Sequence, residues 1–470
     1  MIHVSRPPAD VLFVNWRDLG HPEGGGSERY VHRVAEGLAA AGLRVEMFCA
    51  AHDRAPADEV VGGVRVVRRG NRLGVYPRAL LHVLRSRARL VVDVQNGLPF
   101  CSPLVTRAPV TVLVHHVHRE QWPIVFGRVG GAVGWWLESR FAPWVYRRSR
   151  YVTVSHATRT ELAGLGVDPS RVAVVPNGIE PAPRVAVRRS ATPRVVVLGR
   201  LVPHKQVEHA LEVVARLQER WPDLTLSIVG EGWWEERLRA EADRLGITDR
   251  VEFSGFLDEP AKHAELAAAW LQLCPSVKEG WGLVVTEAGA HRTPTVGYRS
   301  AGGLTESVLD GRTGVLVDDL EELTDAVDRL LGDGVTRTAM GVAAARHAAA
   351  FDWPSSVRGW ARELLGVLAG MPASARADAG PGSAAGAVVE DVERLLVALL
   401  DRGRVGVDDG RDAGDGSGAD TGTGAEGQEH DQEGLHAGTR FLEERRRSAT
   451  VDAASVIHNA APTTAPAAAP

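Results

Sequence analysis

Glu279 and Glu287 are eight residues apart, and a glycine-rich segment separates the first of them from an apolar stretch with a helical pattern; the sequence from residue 279 is EGWGLVVTEAGA. This arrangement predicts a carboxylate in a loop, free amides at a helix N-terminus and a second carboxylate one to two turns along the helix. Carboxylates suit the hydroxyl groups of a sugar or ribose, and the amides suit a phosphate between them. Two glutamates at this spacing in another context would indicate nothing.

The segment GRLVPHK at 199–205 places two cations, Arg200 and Lys205, between a predicted strand and a predicted helix. Loops at the carboxyl ends of parallel strands are where α/β proteins bind ligands. Two cations beside the amide-rich start of a helix suit a diphosphate. Only three of the 54 basic residues are lysines (Lys205, Lys262 and Lys278), so a lysine at this position favours a compact ammonium group. A solvated basic loop is the alternative interpretation.

A third glycine-rich segment, PEGGGSERYVHRV from residue 22, lies between the first predicted strand and a helical pattern. Glycine lets the backbone approach a ligand closely, and the amides at a helix N-terminus attract anions such as phosphate. A tight turn capped by Ser27 explains the same pattern without a ligand.

Short β-branched runs alternate with helical patterns along two stretches of the chain, which indicates parallel sheets covered on both faces. In the first stretch, strands are predicted at 11–14, 44–50, 90–94, 110–114, 151–155 and 171–176, and a helix near 27–41. In the second, strands are predicted at 194–199, 225–230, 251–255, 271–276 and 294–298, and helices near 207–221, 233–245, 261–270 and 283–291. We predict an α/β protein with two doubly wound, Rossmann-like domains, 1–180 and 181–350, and a final amphipathic helix within 351–370.

Composition excludes several classes of protein. The chain has 470 residues, 44% of them hydrophobic and 24% charged, which is the balance of a globular protein with more than one domain. No apolar run reaches the length of a membrane span, no secretory signal is visible, and three distant cysteines are too few for a disulfide framework or a zinc site. We therefore expect a cytoplasmic protein.

The net charge of −5 is unevenly distributed. Residues 371–470 carry 17 acidic and 9 basic side chains, and the rest of the chain is only mildly basic, which argues against a nucleic-acid partner. The segment after residue 370 is rich in Gly, Ala, Asp and Pro, and we predict that it is mostly disordered. An apolar helical pattern at 388–402 is the exception, and it indicates either a docking helix or an isolated short one.

The order and spacing of these motifs over residues 10–368 resemble family 4 glycosyltransferases, the large retaining group with the GT-B fold and a Glu-x7-Glu motif. The resemblance rests on GGGSERYVHRVAEGLAAAGLRV, PVTVLVHH, VVPNGIE, GRLVPHK, SIVGEG, RVEFSGFL and EGWGLVVTEA. It implies two domains that face a cleft, with the acceptor on the first and a nucleotide-sugar on the second. It also implies that the helix after FDW (351–353) crosses back to the first domain.

The resemblance assigns roles to individual residues. Arg200 and Lys205 would hold the donor diphosphate, Glu287 the ribose, and Glu279 and His115 the transferred sugar, with His116 and His118 as rivals of His115. The remaining donor-binding residues implied are Gly25 and Gly26 on the first domain, Gly230, Phe256 and Leu257 around the base, and Gly282, Leu283 and Val284 at the distal phosphate. No cofactor or metal is expected, and the expected donor is a UDP- or GDP-sugar.

Two positions depart from the family pattern. Trp281 replaces the common Phe of the EGFG segment, and His291 and Arg292 precede the Thr-Pro that the family usually places after a small residue. Neither change removes a catalytic group, but both could alter the donor pocket.

The acceptor is a glycan, a lipid-linked molecule or a small molecule, and the sequence does not choose among them. Eight arginines without an acidic residue at 65–89, and tryptophans mixed with arginines at 131–150, would suit an anionic lipid surface at the inner face of a membrane. Tryptophans that fill the core and arginines that face water are the alternative. A second hypothesis for the whole chain is a non-catalytic nucleotide-sugar-binding protein or scaffold. A third is a different GT-B enzyme, such as a synthase that forms a sugar phosphate.

Overall fold

Two parallel β-sheets with helices on both faces form the framework of the computed structural model, which describes residues 8–183 and 187–368. Most strands of both sheets are rich in apolar residues, and VLFV at 11–14 and LVVDVQ at 90–95 are buried at every position. Strands buried on both faces are typical of parallel sheets, because the crossover helices cover each side.

The first sheet has eight strands in the order β3-β4-β2-β1-β5-β6-β7-β8, parallel except for the antiparallel pair β3 and β4. Its strands are β1 (Val11–Val14), β2 (Val45–Cys49), β3 (Asp58–Val61), β4 (Val64–Arg68), β5 (Leu90–Gln95), β6 (Val110–Val114), β7 (Arg150–Thr153) and β8 (Val172–Val174). The helices of this half are α1 (Gly26–Ala40), α2 (Val75–Ser86), α3 (Gln121–Trp136), α4 (Ala142–Val145) and α5 (His156–Gly164). A π-helical turn at Leu137–Phe141 joins α3 to α4.

The second sheet has six parallel strands in the order β11-β10-β9-β12-β13-β14. Its strands are β9 (Arg194–Leu198), β10 (Thr225–Val229), β11 (Val251–Gly255), β12 (Leu271–Cys274), β13 (Thr295–Tyr298) and β14 (Gly314–Val317). Its helices are α6 (Val207–Leu217), α7 (Glu235–Leu245), α8 (Glu259–Ala268), α9 (Leu283–Ala290), α10 (Leu304–Ser307), α11 (Leu320–Gly332) and α12 (Gly334–Ala348).

The strand order places a topological switch point in each sheet. In the second sheet, β9 pairs with β10 on one side and with β12 on the other, so the loops that follow β9 and β12 leave the sheet side by side. In the first sheet, β1 lies between β2 and β5 in the same way. A crevice forms at such a point because the crossovers on its two sides turn in opposite directions, and ligands of α/β proteins bind there.

The final helix α13 (Trp353–Leu368) belongs to the second half of the chain but packs on the first sheet's helices. The indole of Trp360 is fully buried and donates a hydrogen bond to the Tyr30 hydroxyl of α1 at 2.7 Å. The Ser356 hydroxyl donates to the Pro176 carbonyl oxygen at 2.7 Å. The final helix therefore returns to the first half and joins the end of the second half to it.

The prediction of an α/β protein with two Rossmann-like halves is confirmed, and the strands predicted at 11–14 and 110–114 have the same bounds in the structure. Helix α6 ends at Leu217 rather than at 221, since Trp221 precedes Pro222 and the helical conformation is disfavoured there. The domain boundaries stay a prediction, and the predicted tail at 371–470 lies outside the described residues. Within the described part of the chain, no helix combines the length and apolarity that crossing a bilayer requires.

Candidate functional site

Lys205 and Glu279 form an ion pair at the switch point of the second sheet. Lys205 ends a short turn after β9, and Glu279 lies in the loop after β12; the ammonium donates to the Glu279 carboxylate. Both side chains are mostly buried, with 20% and 11% of their areas exposed. Burial by itself would raise the pKa of Glu279, but the adjacent ammonium outweighs it and lowers that pKa, so the carboxylate is ionised. The predicted phosphate cation and the predicted sugar carboxylate are thus in direct contact.

Arg200 lies between the two halves of the protein. A β-carbon placed on Gly25, in the loop before α1, would be 3.7 Å from Nε of Arg200. Solvent reaches the Arg200 guanidinium along the cleft, but protein lies on both sides of it. The resulting loss of hydration, together with the like charge of Arg17, lowers the pKa of Arg200. Gly25 also donates its backbone N–H to the fully buried Glu28 carboxylate at 2.8 Å, which starts α1 at Gly26. Ser27 is therefore inside the helix and does not cap it.

Helix α9 points its N-terminus into the same cleft. Gly282 precedes it with φ 89°, a left-handed conformation that any other residue would adopt only with strain. The amides of Leu283 and Val284 belong to the first turn, where no helical carbonyl lies within reach. A β-carbon on Gly26 of the first half would be 2.9 Å from Cδ1 of Leu283, so the two predicted phosphate-binding segments face each other.

His115 directly follows β6 and is buried beside the ring of Tyr30, at 5.4 Å between ring centroids. Burial lowers the pKa of His115 to about 4, so the imidazole is neutral near pH 7. Among the described residues, none hydrogen-bonds its buried Nε2 atom. An uncompensated buried nitrogen costs free energy, and the fold leaves the hydrogen-bonding capacity of this Nε2 atom unused.

The two rival histidines have partners within the protein. His118 shares a hydrogen bond of 2.8 Å with Glu138, which also accepts from the indole of Trp122 at 2.6 Å. His116 lies 3.3 Å from the Gln121 side-chain oxygen. His116 and His118 each have a ring nitrogen with a protein partner, whereas Nε2 of His115 has none. The geometry therefore favours His115 over both rivals for contact with a sugar.

Glu287 lies in a network of charges that the sequence alone did not reveal. Its Oε1 atom is 2.8 Å from Nζ of Lys262 and 3.5 Å from a guanidinium nitrogen of Arg29. Arg29 and Lys262 also pair with Glu259, at 2.6 and 2.8 Å. Arg29 comes from α1 and the other three from α8 and α9, so the network joins the two halves at the predicted ribose position. The rarity of lysine was the one available signal for Lys262.

The three residues predicted around the base lie together beside the phosphate loop. The N–H of Gly230 donates to the Gly255 carbonyl at 2.8 Å, and a β-carbon on Gly230 would be 2.0 Å from the carbonyl oxygen of Gly199. Phe256 is exposed, and Leu257 is half-buried. The structure thus brings the predicted site residues near one another beside the contact between the two halves, and their functional roles stay a prediction.

The two departures from the family pattern have different surroundings. Trp281 is buried against Phe351, with ring centroids 4.7 Å apart, and packs with the hydrophobic core of the first half. His291 contacts the His263 ring nitrogen at 2.7 Å, one residue from Lys262. The change at His291 therefore lies near the Glu287 network, whereas Trp281 strengthens the contact between the two halves.

The neutral state of His115 predicts a pH-dependent stability. The unfolded chain takes up a proton near the ordinary pKa of 6.5, whereas the folded chain does so only near 4. Stability is therefore complete above pH 6.5 and declines as the pH falls toward 4, by about 2 kcal/mol at pH 5. Urea unfolding of the wild type and His115→Gln at pH 7, 6 and 5 measures this contribution. We expect the difference in free energy of unfolding between the wild type and the variant to shrink by that amount from pH 7 to pH 5. A difference that stays constant with pH would contradict a neutral buried His115.

Comparison with known proteins places the chain in a family. The sequence model of the group described as glycosyl transferases group 1 matches residues 179–347, and that of glycosyltransferase family 4 matches residues 24–182. Together they cover well over half of the chain. The chain belongs to the family 4 glycosyltransferases. It is thus a member of an enzyme family, with the motifs of both halves in place.

The curated relatives of this family 4 glycosyltransferase cover different shares of its length. A GDP-mannose-dependent alpha-(1-6)-phosphatidylinositol monomannoside mannosyltransferase of Mycolicibacterium smegmatis is 37% identical over 46% of this chain, and the match spans 58% of the relative's length. A glycogen synthase of Mycobacterium tuberculosis is 29% identical over 77% of this chain and 95% of its own.

Solved structures confirm the GT-B fold of this glycosyltransferase. Sucrose-phosphate synthase from Thermosynechococcus elongatus superposes with a TM-score of 0.65 at 21% identity, over 77% of this chain and 99% of the synthase. Anabaena HepE in complex with UDP-glucose gives a TM-score of 0.61 at 19% identity, over 77% and 99% of the two chains. At these identities the likeness concerns the fold.

Proposed function

We propose that this protein transfers a sugar from a nucleotide-diphosphate donor to an acceptor hydroxyl, with retention of anomeric configuration and without a metal. The observation that carries the proposal is the contact of Lys205 with Glu279 in a cleft that Arg200, the start of α9 and the loop at Gly25 also line. Cations for a diphosphate and a carboxylate for a sugar meet there. UDP-glucose bound to HepE, which shares the fold, supports a nucleotide-sugar donor.

Stabilising the leaving group is the main catalytic task in this reaction. When the bond between the sugar and the diphosphate breaks, negative charge develops on the phosphate oxygen, and fixed positive charge lowers the free energy of that transition state. Arg200, Lys205 and the first amides of α9 supply such charge from three directions. This supports a mechanism in which side chains and amides do the work that a metal does elsewhere.

The transferred sugar would lie between the two halves. Glu279 from the second half would accept hydrogen bonds from its hydroxyls, and the neutral His115 from the first half would offer its unpaired Nε2. Glu287 would bind the ribose hydroxyls, which would replace Arg29 in its weaker contact at 3.5 Å.

For a retaining transfer, the state of the carboxylate favours attack by the acceptor itself over a covalent intermediate on the enzyme. Glu279 is held in an ion pair by Lys205, which makes it a poor nucleophile and a good hydrogen-bond acceptor. The acceptor hydroxyl would then attack the face that the diphosphate leaves, and the leaving phosphate oxygen would take the hydroxyl proton. The acceptor, whether a glycan, a lipid-linked molecule or a small molecule, would enter from the first half.

A thermal-shift experiment tests donor binding without knowledge of the acceptor. We expect one of UDP, GDP, ADP and dTDP, at a hundredfold excess over its Kd, to raise the Tm by about 3 °C or more, with or without EDTA. Glu287→Ala should lose this shift. Arg220→Ala removes a cation from the loop before β10, at the amino ends of the strands, and this variant should keep the shift in Tm. Absence of a shift with every nucleotide, or its abolition by EDTA, would contradict the proposed donor site or its metal independence.

Turnover separates an enzyme from a scaffold of the same fold. The scaffold hypothesis predicts stabilisation by a nucleotide but no cleavage of its sugar conjugate. Prolonged incubation with the matching nucleotide-sugar, followed by measurement of free nucleoside diphosphate, distinguishes the two. We expect slow hydrolysis by the wild type, and none above background would favour the scaffold.

A further inference from the structure

Helix α3 exposes an apolar face to solvent. A non-helical residue at Gly127 interrupts it, and beyond this point Val129, Val133 and Trp136 follow one another at i, i+4 and i+7 on one side. Val129 is 80% exposed, and the other two are more than half exposed. We call Val129, Val133 and Trp136 the α3 ridge.

The side of α3 that faces the protein carries two glycines beside the buried Trp122 and the half-buried Trp135. Gly131 and Gly134 are buried, and a β-carbon on Gly134 would lie 2.3 Å from the ring of Trp122. A surface helix normally buries its large apolar residues and exposes polar ones. The three residues of the α3 ridge depart from this pattern, and they contribute little to the folded core.

Further exposed apolar and basic side chains occur near the α3 ridge along the chain. Phe126 and Trp144 are each more than half exposed, and the guanidinium of Arg147 lies 5.3 Å from the ring centre of Trp144. The exposed basic side chains of 119–148 are Arg119, Arg128, Arg140, Arg147 and Arg148. In this fully described segment Glu120 is the one exposed acid, since Glu138 is buried against His118 and Trp122.

The helix also adjoins the candidate site. It begins three residues after His118 and contacts the turn Pro203–Lys205. A surface that bound the α3 ridge would therefore lie close to the mouth of the cleft.

We propose that the α3 ridge docks on the surface of a bilayer that contains anionic phospholipid. Apolar and tryptophan side chains enter the interface between headgroups and acyl chains, and arginines around them pair with lipid phosphates. The helix lies in the plane of the surface. This inference goes beyond glycosyl transfer and does not depend on it, since it concerns a face outside the cleft.

Co-sedimentation of the full chain with vesicles tests the proposal. We expect binding to vesicles of 30 mol% phosphatidylglycerol in phosphatidylcholine to be about tenfold tighter than to pure phosphatidylcholine, and to weaken with added salt. Val129→Asp combined with Val133→Asp should reduce it by about tenfold or more. The matched control is Val60→Asp combined with Val335→Asp, which adds the same two negative charges at exposed valines outside α3. This control should bind the vesicles as the wild type does.

Size-exclusion chromatography of the same three proteins, the wild type and the two double variants, identifies the competing occupant, a second copy of the chain. A wild-type dimer that the α3 variant converts to a monomer, together with no vesicle binding, would overturn the proposal. Equal vesicle binding by the α3 variant and its control would also overturn it. Melting curves of all variants verify that each is folded at the temperature of the assay.

Discussion

Replacing Lys205 with methionine is expected to lower the rate constant for sugar transfer by about a thousandfold. Lys205 is the ammonium at the second sheet's switch point and is paired with Glu279. Under the proposed function, its removal takes positive charge from the position where the leaving diphosphate acquires negative charge. This loss costs more free energy in the transition state than in the ground state. Initial rates of nucleoside diphosphate release at saturating donor measure the effect.

The same substitution leaves Glu279 buried without its counter-charge. Breaking a buried ion pair from one side destabilises the fold by about 3 kcal/mol, so assays must run well below the lowered Tm. The double variant Lys205→Met with Glu279→Gln removes both charges and should recover most of this stability, yet remain inactive. Recovery of activity together with stability would show that Lys205 acts only as the partner of Glu279.

Gly280→Ala is expected to lower activity by about a hundredfold while both sheets stay folded. A β-carbon at Gly280 would be 2.3 Å from the carbonyl oxygen of His115, across the contact between the two halves. Both overlapping groups are backbone, so we expect the two segments to move apart. Under the proposed function, this movement separates His115 and the loop at Gly25 from Glu279 and α9, which the reaction needs in one place.

Gly164→Ala is the matched control, because a β-carbon there meets no atom within 4 Å and the residue ends helix α5. We expect its activity to equal that of the wild type. The measurement is kcat and KM for both variants, with circular dichroism spectra to compare their folds. Full activity in Gly280→Ala would mean that the observed approach of the two halves is not the arrangement that performs the chemistry.

The sequence by itself determined the class of fold, the family and the positions of the candidate site residues. Buried strands of parallel sheets are apolar at every position, so runs such as 11–14 and 110–114 were recognisable without tertiary information. The motif residues Arg200, Lys205, Glu279 and Glu287 were recognisable because glycine-rich loops between strands and helices follow a local pattern. The hairpin of β3 and β4 was missed, since β3 is largely exposed and charged; the pair Gly62-Gly63 between two valine runs was its only signal.

Only the tertiary structure decided which groups are partners. Lys205 and Glu279 are 74 residues apart and meet because β9 and β12 are neighbours in the sheet, an order that no local pattern encodes. The arginines of 65–89 looked unpaired in sequence, yet Arg65 and Arg68 of β4 reach Glu46 and Asp18. Arg29 joins the Glu287 network from the other half of the protein. Local sequence specifies strands, helices and loops, whereas charge pairing depends on distances in space that strand order and domain contact establish.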